Sequence, residues 1–427
     1  MIVLVCNALL FVITTIIMRH KLGMRPLVFL WMFYSIFAVF SVILVSSGLY
    51  FTAFSLSPEK ALSFEPYIYN YYCMLVMTLP LYKITGKESG IKNATISSRS
   101  KRIFKVIFFI FIIYFGCKLF ELSLYGNMGY AERHKMITQE GEGISIGQHS
   151  TIIGYITGIC TKLYQILYPL AMFYVLLLLK KRTSLIKIML LFSICIAPML
   201  TGYVINGNRA GMFYLLANLA FFFFIIKDYL SKKQLSKIYL LCGILALILL
   251  SFSSSISEER FQHTDIGTAG SVSRYFGEVF PNLGYQYWNE VHNYTMGARK
   301  FGSYYSLLTG INFNLQGFEE TFSYWSFFTG VDCALFKTVF GDLYLEFGTI
   351  GALVFASVFS LVMFRLTKNS ELSIYNLPFY YYYFAFCTNL IFDIGIIYTS
   401  TNFLYILIGI FILQKWLSKK KIISITQ

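Results

Sequence analysis

The chain has 427 residues, 57% of them hydrophobic and only 13% charged, with mean hydropathy +0.64. A soluble domain carries about 25% charged residues, so the composition excludes a string of soluble domains and favours one membrane-embedded domain over 1–427. A net charge of +15 would suit nucleic acid, but the placement of the basic residues argues against that partner.

In chain order, eleven apolar runs fall near 2–18, 27–47, 66–82, 103–120, 160–179, 185–203, 211–226, 238–254, 346–364, 377–393 and 401–416. They are close to the roughly 20 residues a helix needs to cross a bilayer. In lipid only helices and closed barrels satisfy the backbone, and runs of this length read as helices. The expected fold is therefore an all-α polytopic membrane protein with about 11 transmembrane helices. The first run lacks a basic leader and a small-residue cleavage site, so it reads as a retained span. The stretch 151–159 is also apolar and either extends the fifth run or breaks from it, which leaves the count between 10 and 12. All cysteines but Cys333 fall in apolar runs, with no disulfide framework and no metal-ligand spacing. No metal and no cofactor is expected.

The loops set the orientation. One side collects Arg19, Lys21 and Arg25, then a cluster from Lys83 to Lys105, then Lys180, Lys181, Arg182 and Lys187. It continues with Lys227, Lys232, Lys233 and Lys237, with Arg365 and Lys368, and with four lysines from Lys415 to Lys421. Together these are 24 of the 35 basic residues, joined there only by Glu88, Asp228 and Glu371. The basic side is the cytoplasmic side, which puts the N-terminus outside and the C-terminus in the cytoplasm. The basic excess is thus a topology signal, and no nucleic-acid partner is expected.

The opposite side has two long polar stretches. Loop 121–150 carries Glu121, Glu132, Arg133, His134, Glu140, Glu142 and His149. Loop 255–340 is longer than a connector requires and carries Arg260, Arg274, Arg299, His263, His292, Glu278 and Glu290. Four of the five histidines lie on this side, so any chemistry is expected to face outward.

Four constellations stand out. In the turn from Tyr203 to Gly211, Arg209 opens a helix at the outer face, with Asn206 or Asn208 as a cap. Free backbone N–H groups and the positive end of the dipole, with a guanidinium beside them, make a diphosphate site; the alternative is a snorkelling arginine in an ordinary turn. In 271–284, Arg274 and Glu278 are spaced i,i+4 and either pair on a helix surface or leave Arg274 for phosphate and Tyr275 for stacking on carbohydrate. In 290–299, His292 is a candidate general base or a solvated loop histidine, and Arg299 follows. In 338–351, Asp342 and Glu346 share a helix face entering the ninth run, where carboxylates are costly unless they face a polar cavity. Gly348 and Gly351 read as close helix packing. External aromatics such as Trp288 either stack on sugars or form an interfacial belt.

Absences narrow the classes. There is no Walker motif, no HExxH, and no Asp-Asp or Glu-Asp pair in the first outer loop at 48–65. An exporter would carry charged residues deep within several spans and pseudo-symmetric halves, and the sequence shows neither.

The layout resembles the Wzy-type polymerases of O-antigen and capsular repeat units. The likeness is carried by the many spans, the turn Asn206-Gly-Asn-Arg-Ala-Gly211, the stretch Tyr275 to Pro281, the long late outer loop, and Asp342-Leu-Tyr-Leu-Glu-Phe-Gly-Thr-Ile-Gly351 leading into the next span. The resemblance implies a metal-independent glycosyltransferase similar in plan to the all-helical C class. It would move a growing glycan from undecaprenyl diphosphate onto a lipid-linked repeat unit, among membrane lipid and with a chain-length regulator as a further partner. Under it, Arg209, Arg274 and Arg299 hold the diphosphate, Asp342, Glu346 or His292 takes the acceptor proton, and Tyr275 and Trp288 contact sugar. One departure is that His292-Asn293 lies about fifty residues before Gly348, whereas related enzymes place such a pair close to the final outer helix. The alternatives are a lipid-linked oligosaccharide exporter and an O-antigen ligase.

Overall fold

The structure is a computed structural model. It describes residues 1–57, 60–84, 94–96, 98–125, 127–129, 132, 151–180, 183–206, 209–261, 267–311, 318–367, 376–393, 400–420 and 423–425. The regular structure of the described residues is helical except for a three-residue antiparallel ladder pairing Ala94–Ile96 with Ile423–Ile425, a small departure from an all-α fold. Seven described helices are long and apolar enough to cross a membrane: Ile2–Leu22, Pro26–Ser46, Lys101–Tyr125, Ile152–Leu179, Ile186–Ile205, Lys232–Ile256 and Val339–Thr367. The chain is a helical, multi-pass membrane protein. The other four apolar runs are helical but shorter, at Glu65–Thr78, Phe213–Ile226, Leu377–Asn389 and Thr401–Trp416. The Thr151–Lys180 helix is continuous through Pro169, so 151–159 extends the fifth run.

The chain divides into two compact units. The first comprises Met1–Thr85, Arg260–Asn369 and Ala385–Phe403. The second comprises Gly86–Glu259, Ser370–Phe384 and Leu404–Gln427. In the second unit, Ser98–Tyr125, Thr151–Lys180 and Leu185–Ile205 pack through aromatic contacts. Phe104 stacks on Tyr174 at 4.0 Å, and the Tyr164 hydroxyl donates to the Cys195 carbonyl at 2.5 Å.

The first unit holds most of the stretch expected as an outer loop near 255–340, and that stretch does not stay outside. The Phe280 ring lies 5.4 Å from Phe11, and Phe276 lies 5.2 Å from Phe37. Both partners sit near the middle of their helices, Ile2–Leu22 and Pro26–Ser46. Gly277 lets the chain in: a Cβ there would come within 2.7 Å of the Phe40 carbonyl oxygen. The segment Gly267–Tyr287 therefore returns into the depth of the first two spans. The side chains of Asn282 and Gln286 find hydrogen-bond partners there, as lipid burial demands. Tyr50 donates to Asn282 at 2.9 Å, Asn282 donates to the Phe336 carbonyl at 2.8 Å, and Gln286 donates to both Tyr50 and Asn282. Beyond it, Tyr287, Trp325, Val331, Cys333 and Leu345 form a small apolar core.

Val339–Thr367 is two helical segments joined at Gly348, whose φ of 67° and ψ of −174° are not helical. A straight helix would set Phe340 and Val354 about 21 Å apart. Yet the Phe340 carbonyl accepts from Tyr69, and Val354 lines a cavity with that same tyrosine. The chain thus turns sharply at Gly348, and both segments flank Glu65–Thr78. Residues 339–346 are wholly buried, whereas 349–367 exposes one apolar side, Ile350, Val354, Val358 and Leu361 included. The carboxylates lie on the buried arm. Gly348 serves this break, which the expectation of glycine as a packing surface did not include.

Candidate functional site

The first unit buries a cluster of six charges. Arg299 Nη2 donates to Asp342 Oδ1 at 2.6 Å, and Arg299 Nε faces Glu346 Oε1 at 3.0 Å without the angle of a hydrogen bond. Lys300 Nζ bridges Asp393 at 2.6 Å and Asp342 Oδ2 at 3.5 Å. Lys337 Nζ lies 3.6 Å from Asp342 Oδ1. Three cations thus meet three carboxylates, and Asp342 faces all three cations.

Local structure holds each member. Asp342 and Glu346 project from one face of the buried arm, four residues apart. Two bonds pin the incoming chain to that arm's last turn: Thr295 N–H donates to the Leu345 carbonyl at 3.0 Å, and Met296 N–H to the Glu346 carbonyl at 2.8 Å. The Thr295 hydroxyl donates to Glu346 Oε2 in a short contact. These bonds aim Arg299 and Lys300 at the carboxylates. Lys337 donates to the carbonyls of Cys333 and Leu335 at 3.0 and 3.1 Å and sits 4.7 Å over the Tyr287 ring.

The electrostatics follow from this packing. Burial opposes the charge on Arg299 and Lys300, but the carboxylates outweigh it. Arg299 is held above the usual arginine value by Asp342 and Glu346, and Lys300 above the usual lysine value by Asp342 and Asp393. Burial wins at Lys337 and pushes its ammonium below the usual lysine value, because Asp342 is more distant and Arg299 and Lys300 repel it. Only Asp393 opens the cluster, with 38% of its side chain exposed. Next to it, the Phe392 ring lies 4.9 Å from Phe37, midway along Pro26–Ser46. The cluster therefore sits within the depth of the bundle, where ionisable groups are costly and tend to be functional.

Of the residues singled out from the sequence, Arg299, Asp342 and Glu346 meet in this cluster. Lys300, Lys337, Asp393 and Thr295 complete it and were not singled out. Their only signal was two more cations on the side where cations are scarce.

The remaining candidates lie elsewhere. Arg274 pairs with Glu278 at 2.6 Å and stacks 4.4 Å over Phe54, which is the i,i+4 pairing alternative, with Glu278 buried rather than at a helix surface. Tyr275 is buried with Phe336 and Phe392 at 5.4 and 5.5 Å, so its ring has no open face for a sugar. Trp288 is buried too: it stacks on Tyr344 at 4.8 Å and donates to Glu65 at 3.2 Å. One face is covered by Tyr344, and Trp288 also lines a cavity of about 850 Å³ with Glu65 and Tyr69.

His292 is exposed, with its ring against Gly330, and forms no ion pair among the described residues. Its backbone N–H donates to the Thr329 carbonyl at 2.8 Å. Arg209 begins the Arg209–Ile226 helix of the second unit. Its side chain, Asn208, His263, and Arg133 through His149 lie outside the described residues. Asn206 ends the preceding helix, its N–H bonded to the Gly202 carbonyl.

Compared with protein-family models, with curated proteins and with solved structures, the chain matches none.

Proposed function

We propose that this chain is a glycosyltransferase of the repeat-unit polymerase type in the cytoplasmic membrane of a bacterium. It has about eleven spans, its N-terminus outside and its C-terminus in the cytoplasm, and it works at the outer face on undecaprenyl-diphosphate-linked oligosaccharide. The observation that carries this reading is Arg299 held between Asp342 and Glu346 in a charge-balanced cluster that opens at Asp393. The proposed reaction needs a cation for a diphosphate leaving group and a carboxylate for an acceptor proton, and the cluster holds both.

At rest each neutralises the other. An incoming diphosphate exchanges for Asp393 on Lys300 and draws Arg299 away from Glu346, whose carboxylate then becomes a free base. The acceptor hydroxyl attacks the anomeric carbon and gives its proton to Glu346. The bond from that carbon to the diphosphate oxygen breaks, and its electron pair leaves on the diphosphate beside Arg299 and Lys300.

Glu346→Gln tests this. The variant keeps an acceptor for Thr295 and leaves Arg299 its bond to Asp342, so it should accumulate normally in the membrane. On a gel of surface glycan from the native host, the ladder of chain lengths should collapse to material bearing a single repeat unit. A normal ladder would sink the role of Glu346. Arg209→Ala, read on the same gel, should also shorten the ladder; an unchanged ladder removes Arg209 from the site.

A second reading, an exporter of lipid-linked oligosaccharide, is favoured by two observations. The charges lie at bundle depth, and Val339–Thr367 is a broken helix, as in many transporters. In that case Glu346→Gln leaves no repeat unit at the surface at all.

A further inference from the structure

The second unit contains a cavity of about 440 Å³ with two unlike walls. One is aromatic, built on Phe104 stacked against Tyr174. The other is a rim of three exposed lysines: Lys101 and Lys105, four residues apart on one helix face, and Lys187. No carboxylate lines the cavity, and none of the three lysines is ion-paired among the described residues.

Lys187 is also in the first turn of Leu185–Ile205, whose N-cap residue Ser184 makes no side-chain cap bond. The positive end of a 21-residue helix therefore lies beside the same rim, which Thr183 and Lys187 line. Three cations without ion pairs among the described residues, beside a helix N-terminus, call for an anion. The aromatic wall calls for hydrocarbon on the same molecule.

We propose that this cavity binds one anionic phospholipid, its phosphodiester at Lys101, Lys105 and Lys187 and its glycerol and upper acyl chain along Phe104 and Tyr174. The site lies on the lysine-rich side of the chain, so the lipid comes from the cytoplasmic leaflet; this clause alone rests on the orientation given above. A free phosphate would satisfy the rim and leave the aromatic wall wet. Basic pockets between membrane helices on the cytoplasmic side hold lipid headgroups in this manner.

The test uses the full-length chain in a neutral detergent, with lipid binding read by native mass spectrometry. Phosphatidylglycerol should bind at least tenfold more tightly than phosphatidylcholine. The triple variant Lys101→Gln, Lys105→Gln, Lys187→Gln should lose that preference, by roughly 100-fold for three lysines near an anionic headgroup. The matching triple arginine variant should keep it and so controls for folding. Equal preference in wild type, or a triple glutamine variant that binds phosphatidylglycerol like wild type, overturns the site. Displacement of the lipid by equimolar inorganic phosphate overturns the lipid assignment in favour of a phosphate site. None of these results touches the glycan ladder, so the two proposals fail separately.

Discussion

Asp342→Asn is expected to destabilise the protein by about 3–5 kcal/mol, the penalty for leaving buried charge without its partner. Asp342 is 3% exposed and faces Arg299, Lys300 and Lys337 at once. Asparagine keeps the shape and removes the charge. Three cations then face Glu346 and Asp393, and Asp393, at 38% exposure, is the most screened of the anions. The measurement is the unfolding midpoint of the detergent-purified chain, together with its steady-state level in the membrane.

A double-mutant cycle with Arg299→Met separates a coupled cluster from two unrelated weak points. If the ion pair is the source, the double variant loses less stability than the two single losses added together; strict additivity would sink the claim that the cluster acts as a unit. The contrast with Glu346→Gln matters for function. Glu346 keeps its Thr295 partner, and Arg299 keeps its bond to Asp342. Asp342→Asn should therefore lose abundance and glycan together, and Glu346→Gln should lose glycan while abundance holds.

The contrast between what was readable in the sequence and what was not has physical causes. Apolar runs are legible because the bilayer fixes a minimum length for each crossing, and every run is helical. Short helices such as Glu65–Thr78 were read as spans because hydropathy counts residues, while the fold decides how many of them stay helical. The inward return of Gly267–Tyr287 was hidden. Arg274, Glu278 and Asn282 pull its average polarity towards that of a loop, and only the structure shows Glu278 paired and Asn282 bonded inside. Asp342 and Glu346 are legible as carboxylates where charge is costly, and Arg299 as an arginine on the side where basic residues are scarce. Lys300 meets Asp393 across 93 residues, and spacing along the chain carries no trace of such a contact. Tyr275 and Trp288 show the limit for aromatics, since composition cannot say which ring faces remain open.

Gly348→Ala carries the second large expected effect, and it joins fold to site. At φ 67° and ψ −174°, Gly348 occupies a backbone region that is essentially closed to other residues, with a strain of about 1–3 kcal/mol for alanine. The new methyl would also come within 3.2 Å of Tyr294 Cζ. Gly116→Ala is the control, because Gly116 is helical with open space around it. There the same change should stabilise by up to about 1 kcal/mol, so the two substitutions should move the unfolding midpoint in opposite directions.

The cost at Gly348 is not confined to stability. Alanine favours a straight continuation of residues 349–367 through position 348. A straight helix would carry Glu346 along the axis and away from Thr295, whose hydroxyl and N–H hold the last turn of the buried arm. Asp342, six residues and about 9 Å of helix before the turn, lies further out on the lever, would move further still, and would leave Arg299 and Lys300 behind. The glycan ladder should therefore collapse in Gly348→Ala even at a temperature where the protein remains folded. An unchanged midpoint with a normal ladder would show that the turn at Gly348 is not what places the carboxylates.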